Sequence, residues 1–147
     1  MEWELKRFDE LTCMELYEIL ALRGEVFVVE QNCPYLDPDG LDLEALHYFV
    51  RIDGQIASYL RMLPAGTAYE SPAMGRFITA MKHRKKGIGR ETWRTATDKL
   101  FELWACDHFV ASCQTYLLDF YKSVGMEPEG EPYLEDGIEH IHMVRHR

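Results

Sequence analysis

The first third of the chain alternates apolar and polar residues and then changes to helical spacing. Residues 3–8 (WELKRF) begin with alternation, which predicts a first strand. In residues 12–23 the apolar positions follow helical spacing, and Thr12 with Glu15 forms a capping-box pattern at the start of that helix. The next segment, residues 30–42, is rich in Pro, Gly and Asp, which predicts a loop.

Two strand-like segments in the middle of the chain predict a β-hairpin. They are residues 47–52 (HYFVRI) and 55–63 (QIASYLRML), and the Asp53–Gly54 pair between them is typical of a two-residue hairpin turn. After a second loop at residues 64–72, the short segment 73–79 (AMGRFIT) predicts a further strand.

The longest predicted helix begins near Gly89. From there, apolar or small residues recur every three or four positions, at Gly89, Trp93, Ala96, Leu100 and Leu103. One stripe of this kind is typical of a helix that packs a single face on a core.

The last third of the chain predicts three strands and one helix. Residues 109–114 (FVASCQ) resemble a buried strand, and residues 117–125 predict a helix that ends in a left-handed cap at Gly125. Two strands then meet at residues 135–137 (EDG). The order β-α-(α)-β-β-β-α-β-α-β-β predicts an α/β (α+β) fold: a mixed, mostly antiparallel central sheet flanked by helices, in one domain spanning residues 1–147.

Composition limits the classes of function. With 16 Lys and Arg against 25 Asp and Glu, the net charge is −9, unlike a duplex nucleic-acid binder. No apolar run approaches the roughly 18 residues that span a bilayer, and the N-terminal residues lack the apolar region of a signal peptide. The four cysteines form no CxxC pair, which argues against a zinc site or disulfides. We therefore expect a cytoplasmic protein that binds neither nucleic acid nor membranes.

Positive charge is concentrated in one short stretch of this acidic chain, RKKGIG at residues 84–89. The stretch lies just before the long helix, where an N terminus offers unpaired N–H groups and partial positive charge. The glycines let a ligand approach the backbone closely, and Lys82 and Arg90 extend the positive charge. The pattern favours a phosphate site, with a basic loop that only aids solubility as the alternative. It matches neither a Walker A sequence nor GxGxxG.

Two motifs resemble those of the GCN5-related N-acetyltransferase (GNAT) superfamily. Arg84, Gly87 and Gly89 match its R/Q-x-x-G-x-G/A motif, and residues 117–126 (LLDFYKSVGM) are similar to its late helix, whose tyrosine corresponds to Tyr121. The motifs occur in the expected order, and the resemblance covers nearly the whole chain. The stretches LRGEVFVVEQNCPYLDPDGLD and YLEDGIEHIHMVR resemble the ElaA-like subgroup.

The resemblance implies a GNAT fold in which acetyl-CoA lies between two splayed strands and backbone amides bind its pyrophosphate. It further implies that the Ile78 N–H polarises the thioester carbonyl and that Tyr121 protonates or stabilises the leaving thiolate. Periodicity alone favours a core aromatic at Tyr121, and the resemblance reverses that interpretation. The cofactor-binding residues that it implies are Phe77, Ile78, Thr79, Arg84, Lys85, Lys86, Gly87, Ile88, Gly89, Arg90 and Tyr121.

The general base and the acceptor site are less constrained by the sequence. The candidates for the base are Glu30, Asp37, Asp39, Asp42, His47 and His140. Glu30 and His47 are preferred, because a partly buried carboxylate has a raised pKa and an imidazole titrates near neutrality. The acidic loop favours a cationic acceptor, and the expected acceptor-binding residues are Arg23, Asp37, Asp39 and His140.

Several polar side chains admit two interpretations. Cys113 is either an acetyl-accepting nucleophile or, as we favour, a buried inert thiol. Arg23 and Arg61 either bind an acceptor carboxylate or, as we favour, stabilise the acidic loop. His140 and His142 lack an evident third ligand, and the DPDGLD loop does not have the spacing of a calcium loop, so no metal is expected.

These observations predict an acetyl-CoA-dependent N-acetyltransferase. Its acceptor is the primary amine of a small cationic molecule or a peptide, and the amine attacks directly in a ternary complex. Two alternatives stay open: an acyltransferase similar to acyl-homoserine-lactone synthases, which the stretch RGEVFVVEQ resembles, and a non-catalytic acyl-CoA-binding module. The resemblance also makes a homodimer a reasonable expectation.

Overall fold

A computed structural model describes all of residues 1–147. The strands are β1 (Trp3–Arg7), β2 (Leu46–Ile52), β3 (Gln55–Leu63), β4 (Ala73–Thr79), β5 (His108–Gln114), β6 (Glu127–Pro128), β7 (Tyr133–Glu135) and β8 (Ile138–His146). The α-helices are α1 (Cys13–Arg23), α2 (Ile88–Trp104) and α3 (Leu118–Ser123), and α1 continues into a π-helical segment, Gly24–Glu30. None of the helices is both long and apolar enough to cross a membrane.

One sheet contains all the strands. Its order is β1-β2-β3-β4-β5-β8-β6, with β7 paired to β8 beside β6. The β4–β5 pair is parallel and every other pair is antiparallel. The predicted fold class, a mixed and mostly antiparallel sheet flanked by helices, is therefore confirmed.

Short-range signals in the sequence set the turns and one helix start. The β2–β3 turn has φ of +51° at Asp53 and +78° at Gly54, and the β7–β8 turn has φ of +51° at Asp136 and +77° at Gly137. Positive φ at both central residues is the geometry that matches the twist of a two-residue hairpin. The capping box of α1 is also present: the Glu15 N–H donates to the Thr12 hydroxyl (3.0 Å), and the Thr12 N–H donates to the Glu15 carboxylate (2.9 Å).

Helix α2 covers one face of the sheet, together with α3. Its buried residues are Ile88, Thr92, Trp93, Ala96, Thr97, Leu100 and Phe101. The predicted stripe is wrong at its end: Leu103 is 50% exposed. Phe101 takes the core position instead, because its ring packs on Phe109 of β5 at 5.5 Å between centroids.

Helix α1 and the π-helical segment cover the opposite face of the sheet. Ile19 and Val26 pack there against Phe49, Tyr59 and Ile78. Strand β4 is thus packed between two helical layers. Ile78 contacts the α1 layer, and Met74 belongs to the core cluster on the α2 side. This arrangement fixes the strand that borders the candidate site.

Candidate active site

A cleft opens where the parallel strands β4 and β5 diverge. The two strands pair only at Ala73 and Val110, and the Val110 N–H donates to the Pro72 carbonyl at 2.9 Å. Beyond that point, residues 74–79 of β4 and 111–114 of β5 line a cleft of about 680 Å³. This volume lies within the range of small-molecule sites.

A β-bulge distorts β4 beside the cleft. The β3–β4 register shifts between Tyr59 and Arg61, so Arg76 and Phe77 together oppose a single residue of β3. Arg76 has φ of +48°, a left-handed conformation that is uncommon outside glycine. A bulge leaves one residue outside the hydrogen-bond ladder, so this stretch of backbone can offer an N–H group to a ligand.

The basic loop leads into an uncapped helix N terminus. Lys85 and Gly87 have φ of +64° and +79°, and α2 begins directly after them without a side-chain cap. The first backbone bond into the helix runs from the Glu91 N–H to the Gly87 carbonyl (3.1 Å). The N–H groups of residues 88–90 therefore lack intrahelical acceptors, and these residues line the cleft. Such a terminus suits an anion.

Gly89 is required by close packing between α2 and β4. A Cβ added at this position would lie 2.8 Å from the Thr79 hydroxyl oxygen and 3.3 Å from the Phe77 ring. Gly87, by contrast, has open space around it and is needed for its positive φ. The two motif glycines therefore serve different purposes.

Cations surround this end of the cleft. Lys85 and Lys86 are exposed beside the helix N terminus. Arg90 is also exposed, and it bonds to the Ser123 hydroxyl (2.9 Å) while its guanidinium lies 5.4 Å from the Phe120 ring centroid. In a chain of net charge −9, this is a local basic region that attracts anions.

Glu30 lies at the rim of the cleft and is already paired. Its carboxylate is 3.0 Å from Arg84, whose Nε also donates to the Thr79 carbonyl (2.9 Å). Both side chains are about one-third exposed, at 30% and 35%. The structure brings Glu30 to the cleft as expected, and it also gives this carboxylate a cationic partner.

Tyr121 forms part of the cleft wall and is 7% exposed. Its ring packs edge-to-face on Trp93 (5.1 Å) and on Phe120 (5.3 Å). Burial raises the pKa of the Tyr121 phenol well above its ordinary value, so the hydroxyl keeps its proton at neutral pH. Tyr121 thus packs in the core cluster and also borders the cleft, and its role at the thiolate stays a prediction.

Two buried polar atoms of the cleft lining have no hydrogen-bond partner within the chain. They are Nε1 of Trp93, which is 1% exposed, and Nε2 of His83, which is 6% exposed. Leaving such groups unsatisfied costs about 1–3 kcal/mol each. A polar ligand in the cleft would remove that cost.

Cys113 lies in the cleft lining but is 2% exposed. Burial raises the pKa of its thiol to about 12. Because the thiolate is the nucleophilic form, Cys113 is inert at neutral pH, which agrees with the interpretation favoured from the sequence.

Polar contacts fix the far end of the cleft. The amides of Gln31 and Gln114 exchange two hydrogen bonds (3.1 and 3.2 Å), linking the π-helical segment's end to β5. The Cys33 thiol donates to the Asp136 carbonyl (2.9 Å) in the β7–β8 turn. His140, which is 7% exposed, lines this same end.

His47 does not reach the cleft. It is fully buried on β2, with Nδ1 2.7 Å from the Tyr59 hydroxyl and Nε2 3.0 Å from the Asp42 carbonyl. Burial lowers the pKa of His47, so the ring is neutral and both nitrogens are occupied. The interpretation of His47 as the general base is therefore wrong, because β3 separates its strand from β4.

The acidic loop is neutralised by arginines. Asp42 accepts hydrogen bonds from Arg23 (2.7 Å) and Arg61 (3.0 Å), and all three are buried. Asp39 pairs with Arg61 at 2.6 Å. Burial alone would raise the pKa of Asp39, but the bonds to Arg61 outweigh it and lower the pKa to about 2.

Arg76 completes this network and joins it to the bulge. Its guanidinium lies 2.8 Å from the Asp37 carboxylate and 3.3 Å from Asp39, while Asp37 also pairs with Arg23 (2.8 Å). Asp37, Asp39 and Arg23 were expected to bind the acceptor. Instead, Arg23 pairs with Asp37, and Asp39 pairs with Arg61 and Arg76. Arg23 therefore has the loop-stabilising role that was its alternative.

Sequence analysis missed several side chains that line the cleft. They are Gln31, Arg76, His83, Gln114 and Glu135. Arg76 alone carried a signal, because a cation inside the apolar strand segment AMGRFIT requires a partner. The others are polar residues in loops or at strand ends, where solvation is the ordinary outcome.

The comparisons with known proteins agree with this geometry. The sequence profile of the Acetyltransferase (GNAT) domain family matches residues 36–146. A UPF0039 protein of Synechocystis is 39% identical over 98% of this chain and 94% of its own length. The crystal structure of an acyl-CoA N-acyltransferase from Pseudomonas aeruginosa superposes with a TM-score of 0.92 at 37% identity, covering 99% of both chains. Escherichia coli ElaA superposes with a TM-score of 0.90 at 35% identity, also over 99% of both chains. The chain therefore belongs to the GNAT acetyltransferase family and is ElaA-like over its whole length.

Proposed function

We propose that the protein transfers the acetyl group of acetyl-CoA to a primary amine by direct attack in a ternary complex. Its family supports the coarser class, acyl-CoA-dependent acyl transfer. One observation carries the proposal: a single cleft joins the uncapped N terminus of α2 to the buried phenol of Tyr121. This arrangement supports the proposal, because an anionic cofactor bound at the helix N terminus could extend along one channel to a proton donor.

The basic end of the cleft suits the pyrophosphate of the cofactor. The N–H groups of residues 88–90 would donate to it, and Lys85 and Lys86 would add positive charge. The unpaired Nε1 of Trp93 and Nε2 of His83 offer further polar contacts to the arm that runs between β4 and β5. The residues present therefore fit acyl-CoA.

The bulge of β4 supplies the group that polarises the thioester. An N–H from residues 76–77, which the bulge takes out of the register with β3, would donate to the carbonyl oxygen. Such a donor becomes more effective as the oxygen gains negative charge in the transition state. Ile78, the donor expected from the sequence, lines the cleft next to the bulge but stays opposite Tyr59 in the register, so the bulge favours its two preceding neighbours.

Tyr121 would complete the transfer. The amine nitrogen bonds to the carbonyl carbon, the carbon–sulfur bond breaks, and the phenol gives its proton to the sulfur. The phenolate then takes a proton from the nitrogen of the new amide, so Tyr121 is restored. Because burial raises its pKa, Tyr121 stays protonated until the thiolate appears.

Direct attack is favoured over an acetyl-cysteine intermediate. Cys113 is the cysteine of β5 that lines the cleft, and the raised pKa of about 12 leaves almost no thiolate at neutral pH. Cys113 therefore does not compete with the amine for the thioester.

A cationic acceptor is supported by carboxylates other than those first expected. Asp37 and Asp39 are neutralised, but Glu135 and Asp136 line the far end of the cleft without an arginine or lysine in ion-pair contact. Negative charge there attracts an ammonium group. The proposed acceptor is accordingly a small molecule or peptide that carries a primary amine.

The test is release of coenzyme A thiol from acetyl-CoA in the presence of a panel of amines: polyamines, amino sugars and lysine peptides. The wild type should turn over at least one of them. Tyr121→Phe should lower kcat by roughly 10²- to 10⁴-fold while its affinity for acetyl-CoA is unchanged. A wild-type protein that turns over octanoyl-CoA but not acetyl-CoA would favour the synthase-like alternative. Binding of acetyl-CoA without turnover of any amine would contradict the proposal.

A further inference from the structure

We propose that His140 is the general base that takes the proton from the acceptor amine, and that the Glu135 carboxylate stabilises the imidazolium. This inference rests on the proposed function and assigns the one role in it that no residue yet fills. It replaces His47, which is sealed in the core, and Glu30, which is engaged by Arg84.

His140 is positioned by β8, the strand next to β5. It faces Gln114 in the β5–β8 register, at the end of β5 where β4 has already diverged. It shares the cleft lining with Tyr121 and Cys113. The side chain is 7% exposed, so it is shielded from bulk water and meets whatever enters the cleft.

The hydrogen bonds of His140 fix its tautomer. Nδ1 lies 2.8 Å from the carbonyl oxygen of Ile138, which can only accept, so Nδ1 carries the proton. Nε2 therefore holds the lone pair. Its nearest charged neighbour is a Glu135 carboxylate oxygen at 3.4 Å, and no donor in the chain bonds to Nε2. A free imidazole lone pair in a cleft is the form that a base requires.

The β7–β8 hairpin holds the imidazole in place. The Tyr133 ring, directly opposite on β7, stacks on His140 with 6.2 Å between centroids and 20° between planes. The Tyr133 hydroxyl is hydrogen-bonded to Ser112 of β5, and the Cys33 thiol bonds to the Asp136 carbonyl in the hairpin turn. A base fixed in this way loses little entropy when the acceptor arrives.

Charged and titratable groups face His140 from several elements. Glu135 comes from β7 and Asp136 from the turn. Across the cleft, Glu30 is balanced by Arg84, and Arg76 is balanced by the aspartates of the loop. Strand β5 contributes the neutral side chains of Ser112 and Gln114 and the protonated thiol of Cys113. The uncompensated charge near Nε2 is therefore negative.

The proton balance of the step is complete. An ammonium R–NH₃⁺ gives one proton to Nε2 of His140, and the free amine attacks the thioester carbonyl carbon. Tyr121 protonates the departing sulfur and regains a proton from the nitrogen. The products are R–NH–COCH₃, the coenzyme A thiol and one proton on His140, which then passes to solvent. The overall reaction releases one proton, as acetylation of an ammonium must.

The experiment is the pH profile of kcat/KM for the best amine of the panel. In the wild type the acid limb should follow ionisation of one group between about pH 5 and 8. His140→Asn should lower kcat by roughly 10²- to 10⁴-fold and lose that limb, with acetyl-CoA binding unchanged. Glu135→Gln should lower kcat but keep the limb, because the imidazolium that forms loses the carboxylate 3.4 Å from Nε2. His142→Asn, on the same face of β8 but in a separate pocket with Tyr69, should match the wild type.

Nitrogen-15 spectra of the His140 ring provide a readout that does not depend on turnover, and the Nδ1–H tautomer is expected in the free protein. An Nε2–H tautomer, or an acid limb that persists in His140→Asn at near wild-type rate, would overturn the inference while leaving acetyl transfer intact. Absence of wild-type turnover with every amine would overturn the proposed function and the role of His140 together.

Discussion

Replacing Asp42 with alanine should destabilise the fold far more than the loss of an ordinary ion pair. Asp42 is 7% exposed, and a single carboxylate oxygen accepts from both Arg23 (2.7 Å) and Arg61 (3.0 Å). In the variant both guanidiniums stay buried, each with one remaining carboxylate partner, Asp37 or Asp39.

The magnitude follows from the two bonds that are lost. A hydrogen bond to a charged group contributes about 1.5–3 kcal/mol, so removing two costs about 3–6 kcal/mol. Breaking a buried ion pair from one side costs about 3–5 kcal/mol by an independent route. For a chain of this size, 1 kcal/mol corresponds to about 2–4 °C in Tm. The expected fall in Tm is therefore roughly 6–24 °C.

Thermal unfolding followed by circular dichroism measures this change, with a matched surface control. Asp98→Ala also removes an arginine-paired carboxylate, 3.6 Å from Arg94, but its side chain is 72% exposed. It should leave Tm unchanged, because exposed pairs contribute little. If Asp42→Ala also left Tm within about 2 °C of the wild type, less than 1 kcal/mol, the network would not hold the loop as described.

Three further predictions concern the packing around Gly89, the titration of His47 and the anchoring of the β4 bulge by Arg76. Gly89→Ala places a Cβ 2.8 Å from the Thr79 hydroxyl, so it should lower the free energy of unfolding by about 1–3 kcal/mol. It should also weaken acetyl-CoA binding in calorimetry. An unchanged Tm would show that Thr79 can move away without cost. Because burial lowers the pKa of His47, the unfolded chain binds that proton more tightly, and stability should fall as pH drops below about 6.5. His47→Gln should flatten the plot of Tm against pH between about pH 7 and pH 5, and a slope that survives in this variant would refute the assignment. Arg76→Ala releases the bulge from the aspartate network, so kcat should fall roughly 10-fold or more with acetyl-CoA affinity retained; equal losses in kcat and affinity would indicate general damage instead.

The elements that the sequence predicted well depend on residues close together in the chain. The Asp53–Gly54 turn, the Thr12–Glu15 capping box and the left-handed Gly125 after α3 each involve a few neighbouring residues. Their conformational preferences act before any tertiary contact forms, so a pattern in the sequence is enough to identify them. Strand β6, only two residues long, left no such pattern.

The parts that could not be predicted depend on pairing between distant residues. Arg23, Asp37 and Arg76 come from a helix, a loop and a strand, and nothing in the sequence selects these partners among the many charges available. The same limit applied to His47, since its lone pair is used by a tyrosine of the neighbouring strand. The sequence therefore indicated an exposed acidic loop, whereas in the structure arginines balance the charge of that loop.

For the candidate site, the glycine motif can be recognised in the sequence, but the structural role of each glycine cannot. The sequence indicates that a ligand approaches the backbone at both Gly87 and Gly89. In the structure Gly87 supplies a left-handed φ of +79°, and Gly89 makes room for Thr79 and Phe77. The bulge at Arg76 depends on the register of β3 against β4, which no local pattern of side chains specifies.

The most direct test of the central claim is calorimetric titration of acetyl-CoA into the wild type, Gly87→Glu and Gly54→Glu. The two glycines have nearly equal φ, +79° and +78°, and both have open space around them, so the glutamates impose the same backbone strain. Gly87 alone borders the helix N terminus and the cleft. We predict micromolar binding by the wild type and by Gly54→Glu, and loss of binding by Gly87→Glu through bulk and charge repulsion at the pyrophosphate. Equal binding by all three proteins, or no binding by the wild type, would contradict the assignment of the cleft to acyl-CoA.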